Sequence, residues 1–158
     1  MKEVKTNAMR MLDKQKIPYQ VVVHPVEEFH NGLESADVLG VNPDMVYKTI
    51  VTTNNNNNYY VFCLPVNQVL DLKKCAKLVG VKNLNLLDLK YLLNLTGYVR
   101  GGCSPIGLKK PFPVIIDKNI LDKEEIYISA GRIDTKLLIK STDLIKATNA
   151  KTGDIIWI

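Results

Sequence analysis

Val46-Tyr47-Lys48-Thr49-Ile50-Val51-Thr52-Thr53, five asparagines at 54–58, then Tyr59-Tyr60-Val61-Phe62-Cys63-Leu64: around this stretch the remainder of the chain can be ordered. Both flanks are dense in β-branched and aromatic residues, which suit a pleated, half-buried surface, so they predict two strands paired as a hairpin. The asparagines could form a low-complexity binding tract. A solvated loop tip is the preferred reading, since asparagine tolerates turn geometry and such tips accept insertions.

Upstream, Val4, Ala8 and Met11 or Leu12 recur at helical spacing. That helix should end near Ile17-Pro18, because proline disfavours helical geometry in the residue before it. A strand is expected over 19–24, then a short helix over 33–39 closed by Gly40, then Asn42-Pro43-Asp44 as a turn or single helical turn. Downstream, Asp71 suits the cap of a helix through Val79 with Gly80 as terminator. Asp88 opens another through Leu95, stopped by Gly97. From Tyr98 the pattern turns to strands, at 98–100, 114–117, 126–130 and 137–140. Ser141 or Thr142 caps a last helix to Ala147, and 154–158 ends the chain as an edge strand. Six or seven short strands with three or four helices predict an α+β fold, a mixed, partly closed, barrel-like sheet with helices packed outside it.

A length of 158 residues and an apolar fraction of 46% predict one domain over 1–158 with a single packed core. The net charge of +5 favours anionic partners without requiring nucleic acid. Lys73, Lys74, Lys77, Lys82, Lys109 and Lys110 could neutralise RNA phosphates, although a solvated face is the default for such runs. Cys63, Cys75 and Cys103 are odd in number and far apart, so neither a disulfide framework nor a zinc site is indicated. Neither histidine, His24 or His30, has a ligand-like spacing to cysteine or carboxylate, and no metal and no cofactor are expected. The absence of an apolar run of about eighteen residues argues against a membrane span, and a reducing cytoplasm is expected.

Two places carry chemistry. Lys48 lies on the strand face that also bears Val46 and Ile50, where an ammonium needs a partner or a task. Fifty residues on, Tyr98-Val99-Arg100-Gly101-Gly102-Cys103-Ser104-Pro105-Ile106-Gly107 contains a Gly-Gly step, which lets backbone approach a ligand closely and turn N–H groups toward it. A turn with a β-bulge is the plainer meaning of paired glycines. Cys103 is not assigned as a nucleophile, because no histidine pairs with it in any recognisable pattern.

Taken in order, these residues resemble the YbaK family of aminoacyl-tRNA deacylases, related to the editing insertion of bacterial prolyl-tRNA synthetases. The resemblance covers nearly the whole chain. It rests on Leu39-Gly40-Val41-Asn42-Pro43-Asp44 leading into Val46 to Ile50, then Leu70-Asp71-Leu72-Lys73-Lys74, Thr96-Gly97-Tyr98, Gly101-Gly102, Ser104-Pro105-Ile106-Gly107, Ile126-Tyr127-Ile128-Ser129 and Gly131. It implies a compact barrel-like α+β fold that clears a wrong amino acid esterified to tRNA, above all cysteine on proline tRNA. The partners so implied are mischarged aminoacyl-tRNA and prolyl-tRNA synthetase. Lys48 would be the essential lysine and Gly101 and Gly102 the cradle of the substrate carbonyl. Ser129 matches a pocket serine of the family and His24 aligns roughly with a pocket-lining aromatic, while Thr49 beside the lysine, Ser104 beside the glycines and Asp134, which could take up the substrate's amino group, are candidates from their positions in this chain. The relevant thiol would be the substrate's own, attacking its own carbonyl. The stretch from His24 to Gly32, and Arg132-Ile133-Asp134-Thr135-Lys136 where the family usually has Lys-Arg-Gly, depart from its pattern and leave the preferred amino acid open. An editor for another residue such as alanine, and a non-catalytic module that binds aminoacyl-tRNA or a synthetase, are the rival readings.

Overall fold

The computed structural model describes residues 4–24 and 32–158. Helix α1, Asn7–Lys14, starts where the Thr6 side chain accepts the Met9 N–H, and it buries Ala8, Met9 and Leu12 on one face. Strand β1, Gln20–Val23, follows Pro18. Helix α2, Gly32–Leu39, leads to a single 3-10 turn at Pro43–Met45, with the Asn42 side chain accepting the Asp44 N–H. The expected hairpin is present as β2, Tyr47–Thr53, and β3, Tyr59–Pro65, in register from Tyr47 opposite Pro65 to Thr53 opposite Tyr59. Helix α3, Leu72–Val79, is capped by the Asp71 carboxylate, which accepts the Lys73 and Lys74 N–H groups, and it ends at a left-handed Gly80. Thereafter come β4 at Asn85–Leu86, α4 at Leu92–Thr96, β5 at Val114–Asp117, β6 at Glu125–Arg132, β7 at Thr135–Lys140, α5 at Ser141–Thr148 and β8 at Lys151–Gly153.

The strands form two sheets, β1-β7-β6 and β4-β2-β3-β5-β8. The smaller is antiparallel, and the larger is mixed, with β5 parallel to both β3 and β8. Alternation along the strands sorts their side chains between two interiors. Tyr47, Val51, Val61, Cys63 and Ile116 of the larger sheet join Ile126, Ile128, Leu137 and Ile139 of the smaller in one buried cluster, completed by Leu12 of α1 and Leu144 of α5. On the opposite face of β3, Phe62 and Leu64 pack with Cys75 and Ala76 of α3.

Several expectations are corrected. The sheet is not a partly closed barrel of six or seven strands; eight strands are described, split between two sheets. The sheets meet through one parallel bridge, Val46 with Tyr127. A register slip between Ser129 and Arg132 follows on β6, and a bulge there bends the strand so that pairing with β2 does not continue. The segment 98–100 is not a strand: Tyr98 is buried, its N–H donates to the Thr96 hydroxyl, and its own hydroxyl donates to the Ile106 carbonyl at 2.6 Å. The terminal strand is Lys151–Gly153 rather than 154–158, because the Ile155 N–H is taken by the Asp117 carboxylate at 3.0 Å and Ile156 makes only an isolated bridge with Leu70. The helix expected from Asp88 is divided, a 3-10 turn at Leu89–Tyr91 running into α4. Neither Ser141 nor Thr142 is the cap of α5; Lys140 occupies that position, without a side-chain bond.

Candidate active site

Lys48 sits in β2 opposite Leu64, on the face that carries Ile50 and, two residues earlier, Val46, whose carbonyl accepts the Val66 N–H. Its Nζ donates to the Gln68 carbonyl at 2.6 Å. Burial holds its pKa below the usual lysine value, because a half-buried ammonium loses hydration. Among the described residues no carboxylate pairs with it, and the partner of its ammonium there is the Gln68 backbone oxygen. Thr49 points the other way, its Oγ1 lying 3.8 Å from the Cys63 Sγ in the core between the sheets.

The second half of the site is the loop after α4. Gly101 has φ +83°, a left-handed conformation that side chains disfavour. Gly102 is buried, and its N–H donates to the Val99 carbonyl at 3.0 Å. A Cβ on Gly102 would lie 3.1 Å from the Arg132 carbonyl carbon and 3.2 Å from the Ile133 nitrogen. The β6–β7 turn therefore rests directly on the glycine pair. Ser129 locks that contact: its hydroxyl donates to the Gly102 carbonyl at 2.9 Å and accepts the Gly131 N–H at 3.1 Å. Ser104 is buried and its Oγ accepts the Ile106 N–H at 3.2 Å, so it shapes the same loop from within. Burial pushes the Cys103 thiol up to about 12, which leaves it protonated and unsuited to nucleophilic attack.

The Val46–Tyr127 bridge relates the two halves. The strands run parallel there, and Lys48 and Ser129 each stand two residues further on, so alternation sets both on the bridged face. Asp134, in the β6–β7 turn, accepts the Thr135 hydroxyl at 2.8 Å through its side chain and the His24 N–H at 2.8 Å through its carbonyl. His24, 2% exposed, thus joins the end of β1 to that turn. His30 and most of the divergent 24–32 stretch lie outside the described residues. One residue of the neighbourhood was not singled out from sequence: Lys136, directly across from Ser129 on β7 and only 6% exposed. It sits in an ordinary strand pattern, and only the register shows what it faces.

The lysine clusters divide. Lys74 is committed to the fold, donating to both Asp154 carboxylate oxygens at 3.1 and 3.0 Å and to the Ile156 carbonyl at 2.8 Å. Lys73, Lys77 and Lys82 are exposed. Lys109 and Lys110 border a cavity of about 730 Å³ with Tyr60, Phe112 and Lys151, away from Lys48 and the glycine pair. Among the described residues no group of three or more histidine, cysteine or acidic side chains could hold a metal ion, and no helix is long and apolar enough to cross a membrane.

Residues 26–147 match the model of the aminoacyl-tRNA editing domain. Over 152 residues, 96% of this chain and 93% of the other, the sequence is 40% identical to the "Putative Cys-tRNA(Pro)/Cys-tRNA(Cys) deacylase EbsC" of Enterococcus faecalis strain ATCC 700802 / V583. Among solved structures, the hypothetical protein APE2540 superposes with a TM-score of 0.87 at 22% identity, covering 96% of this chain and all of that one. A structure titled "a putative trans-editing enzyme for prolyl tRNA synthetase" superposes with a TM-score of 0.86 at 24% identity, covering 99% and 100%. These two likenesses establish the shared α+β fold. With a family model spanning most of its length and a relative at 40% identity along nearly all of it, the chain belongs to the aminoacyl-tRNA editing domain family.

Proposed function

We propose that this protein is a trans-editing deacylase that removes cysteine wrongly esterified to tRNA, with Cys-tRNA(Pro) as its first substrate and prolyl-tRNA synthetase as the enzyme whose errors it corrects. The substrate is suggested by what the Enterococcus relative's name says it acts on. The need is physical. A synthetase pocket separates small side chains by only about 1–3 kcal/mol per methylene, so a second site must remove what the first admits.

The observation that carries this reading is the Ser129–Gly102 hydrogen bond, which fixes the glycine loop against β6 beside the bridge that positions Lys48. In this reading the Lys48 ammonium anchors the ester carbonyl or the terminal phosphate as a cation. The Gly102 N–H is already used by Val99, so the exposed Gly101 amide is the donor offered to the carbonyl, while Gly102 supplies the close packing that aims it. Ser129, Ser104 and the His24–Asp134 link hold the loop and the adjoining turn. Thr49 acts at a remove, from the core side of the strand that carries the lysine. Residues 1–158 act as one editing domain.

Deacylation measured across cysteinyl, alanyl and seryl esters of proline tRNA, and cysteinyl ester on its own tRNA, tests the reading. Cysteinyl-tRNA(Pro) should be cleared fastest, and Lys48→Ala should cost about 10²–10³ in rate. Preference for the alanyl ester would point to a different editor. Tight binding of mischarged tRNA without turnover would make the protein a binding module instead.

A further inference from the structure

Lys136 is the residue the deacylase reading leaves without a role. It stands across from Ser129 on one side and Val22 on the other, in the middle strand of the smaller sheet. No hydrogen bond or ion pair joins its side chain to the described residues, although the residue is only 6% exposed. Its amine is not among the buried atoms left without a partner, so a largely buried stem carries an amine that still meets solvent, the arrangement a functional lysine requires. Burial alone pulls its pKa down to about 8. The ordinary cysteine thiol titrates at about 8.5, so the two groups are matched for proton exchange.

Among the described residues, the following charged and titratable groups share its face or adjoin it. Glu125 and Tyr127 lie further along β6, with Glu125 opposite the exposed Lys140. β1 offers Gln20 and Val22, which carry no charge, and just past its end the buried His24, which alternation sets on the same side. On β2, Lys48 stands two residues past the bridged Val46 as Ser129 stands two past Tyr127, and Arg100, Arg132 and Asp134 belong to the segments on either side of the Ser129–Gly102 contact.

Resting on the deacylase reading, we propose that Lys136 is the catalytic base that accepts the proton of the substrate's own cysteine thiol, so that only thiol-bearing esters gain from it. The proton passes from sulphur to the Lys136 amine, and the sulphur lone pair attacks the ester carbonyl carbon, forming a C–S bond. The bond from that carbon to the ribose oxygen breaks. The departing oxygen takes the proton back from the Lys136 ammonium, giving tRNA with a free hydroxyl and a four-membered cysteine thiolactone, which water opens to cysteine. An alanyl or prolyl ester has no such proton to give.

Single-turnover deacylation of Cys-tRNA(Pro) by the full chain tests this at pH 7. Lys136→Met should slow release by about 10²-fold, and Lys136→Arg, a cation of similar length with no free base, should be slowed equally. Lys136→Ala should recover at least tenfold when ethylamine is added, which a merely structural lysine would not allow. Should the methionine variant fail to fold in a thermal melt, the arginine variant carries the same comparison. Rates within threefold of wild type, or an alanine variant indifferent to ethylamine, would overturn the proposal while leaving the deacylase reading intact. A wild-type protein that releases no mischarged amino acid would bring down that reading, and the base with it.

Discussion

The Ser129 hydroxyl donates to the Gly102 carbonyl at 2.9 Å, joining residues 27 positions apart in sequence. One short polar contact thereby couples the bulged strand β6 to the glycine loop. The same oxygen also accepts the Gly131 N–H, and with its single proton committed to Gly102 the hydroxyl has none to donate to a substrate. In the proposed reading its part is to hold backbone in place.

Ser129→Ala should therefore act on position more than on binding. Losing both bonds in a buried site is expected to cost about 1–2 kcal/mol of stability, read as a lowered midpoint in urea. The deacylation rate should fall by about 10- to 100-fold through misplacement of the loop, with KM little changed. A variant with lowered stability and an unchanged rate would separate the serine from the site.

Gly102→Ala is a sharper steric test. The added methyl would meet backbone of Arg132 and Ile133 at 3.1–3.2 Å, and backbone cannot swing aside as a side-chain end can. The expected cost is about 1–3 kcal/mol, with activity lost alongside. Thermal melting and deacylation assays on the same preparation check both.

Lys136 makes a prediction about pH and stability that is independent of catalysis. Its pKa falls from 10.5 in the unfolded chain to about 8 in the folded one, through burial. Between those values the unfolded state binds more protons, so this residue makes the protein more stable as pH rises from about 8 to 10.5. Below pH 8 the full penalty of a buried ammonium remains, on the order of 3 kcal/mol at about 1.36 kcal/mol per pKa unit. Lys136→Met should remove that penalty. Denaturant melts of both proteins at pH 7 and pH 10 should show the variant ahead at the lower pH and the gap narrowing at the higher.

For tRNA contact, the exposed pair Lys109 and Lys110 is the place to look, since Lys74 is tied to Asp154 and the C-terminal segment. If these two meet phosphate, Lys109→Ala and Lys110→Ala should each lower the slope of log affinity against log salt by about 1. Titrations of uncharged tRNA at several salt concentrations provide the measurement. An unchanged slope would make them a solvated face.

Much of the local structure was legible in the chain itself. The β2–β3 hairpin follows from two β-branched runs around an asparagine tip, and α3 from the Asp71 cap and the Gly80 stop, because these signals act over a few residues and need no distant partner. The placing of Lys48 on a strand face with apolar neighbours and the positive φ at Gly101 followed in the same way, whereas a catalytic part for either came from the family resemblance and stays a proposal.

What lay beyond the chain's local signals was everything that depends on which strands meet. That the sheet divides in two, that the 98–100 segment turns instead of extending, and that Thr49 faces the core all arise from pairings and bulges between distant segments. The case of Lys136 makes the reason plain. Within 135–140 it is one of three polar residues beside Leu137, Leu138 and Ile139, and its meaning appears only when register sets it opposite Ser129 and packing removes it from water. Side-chain period is written along a strand, whereas partner and burial are properties of the assembled sheets.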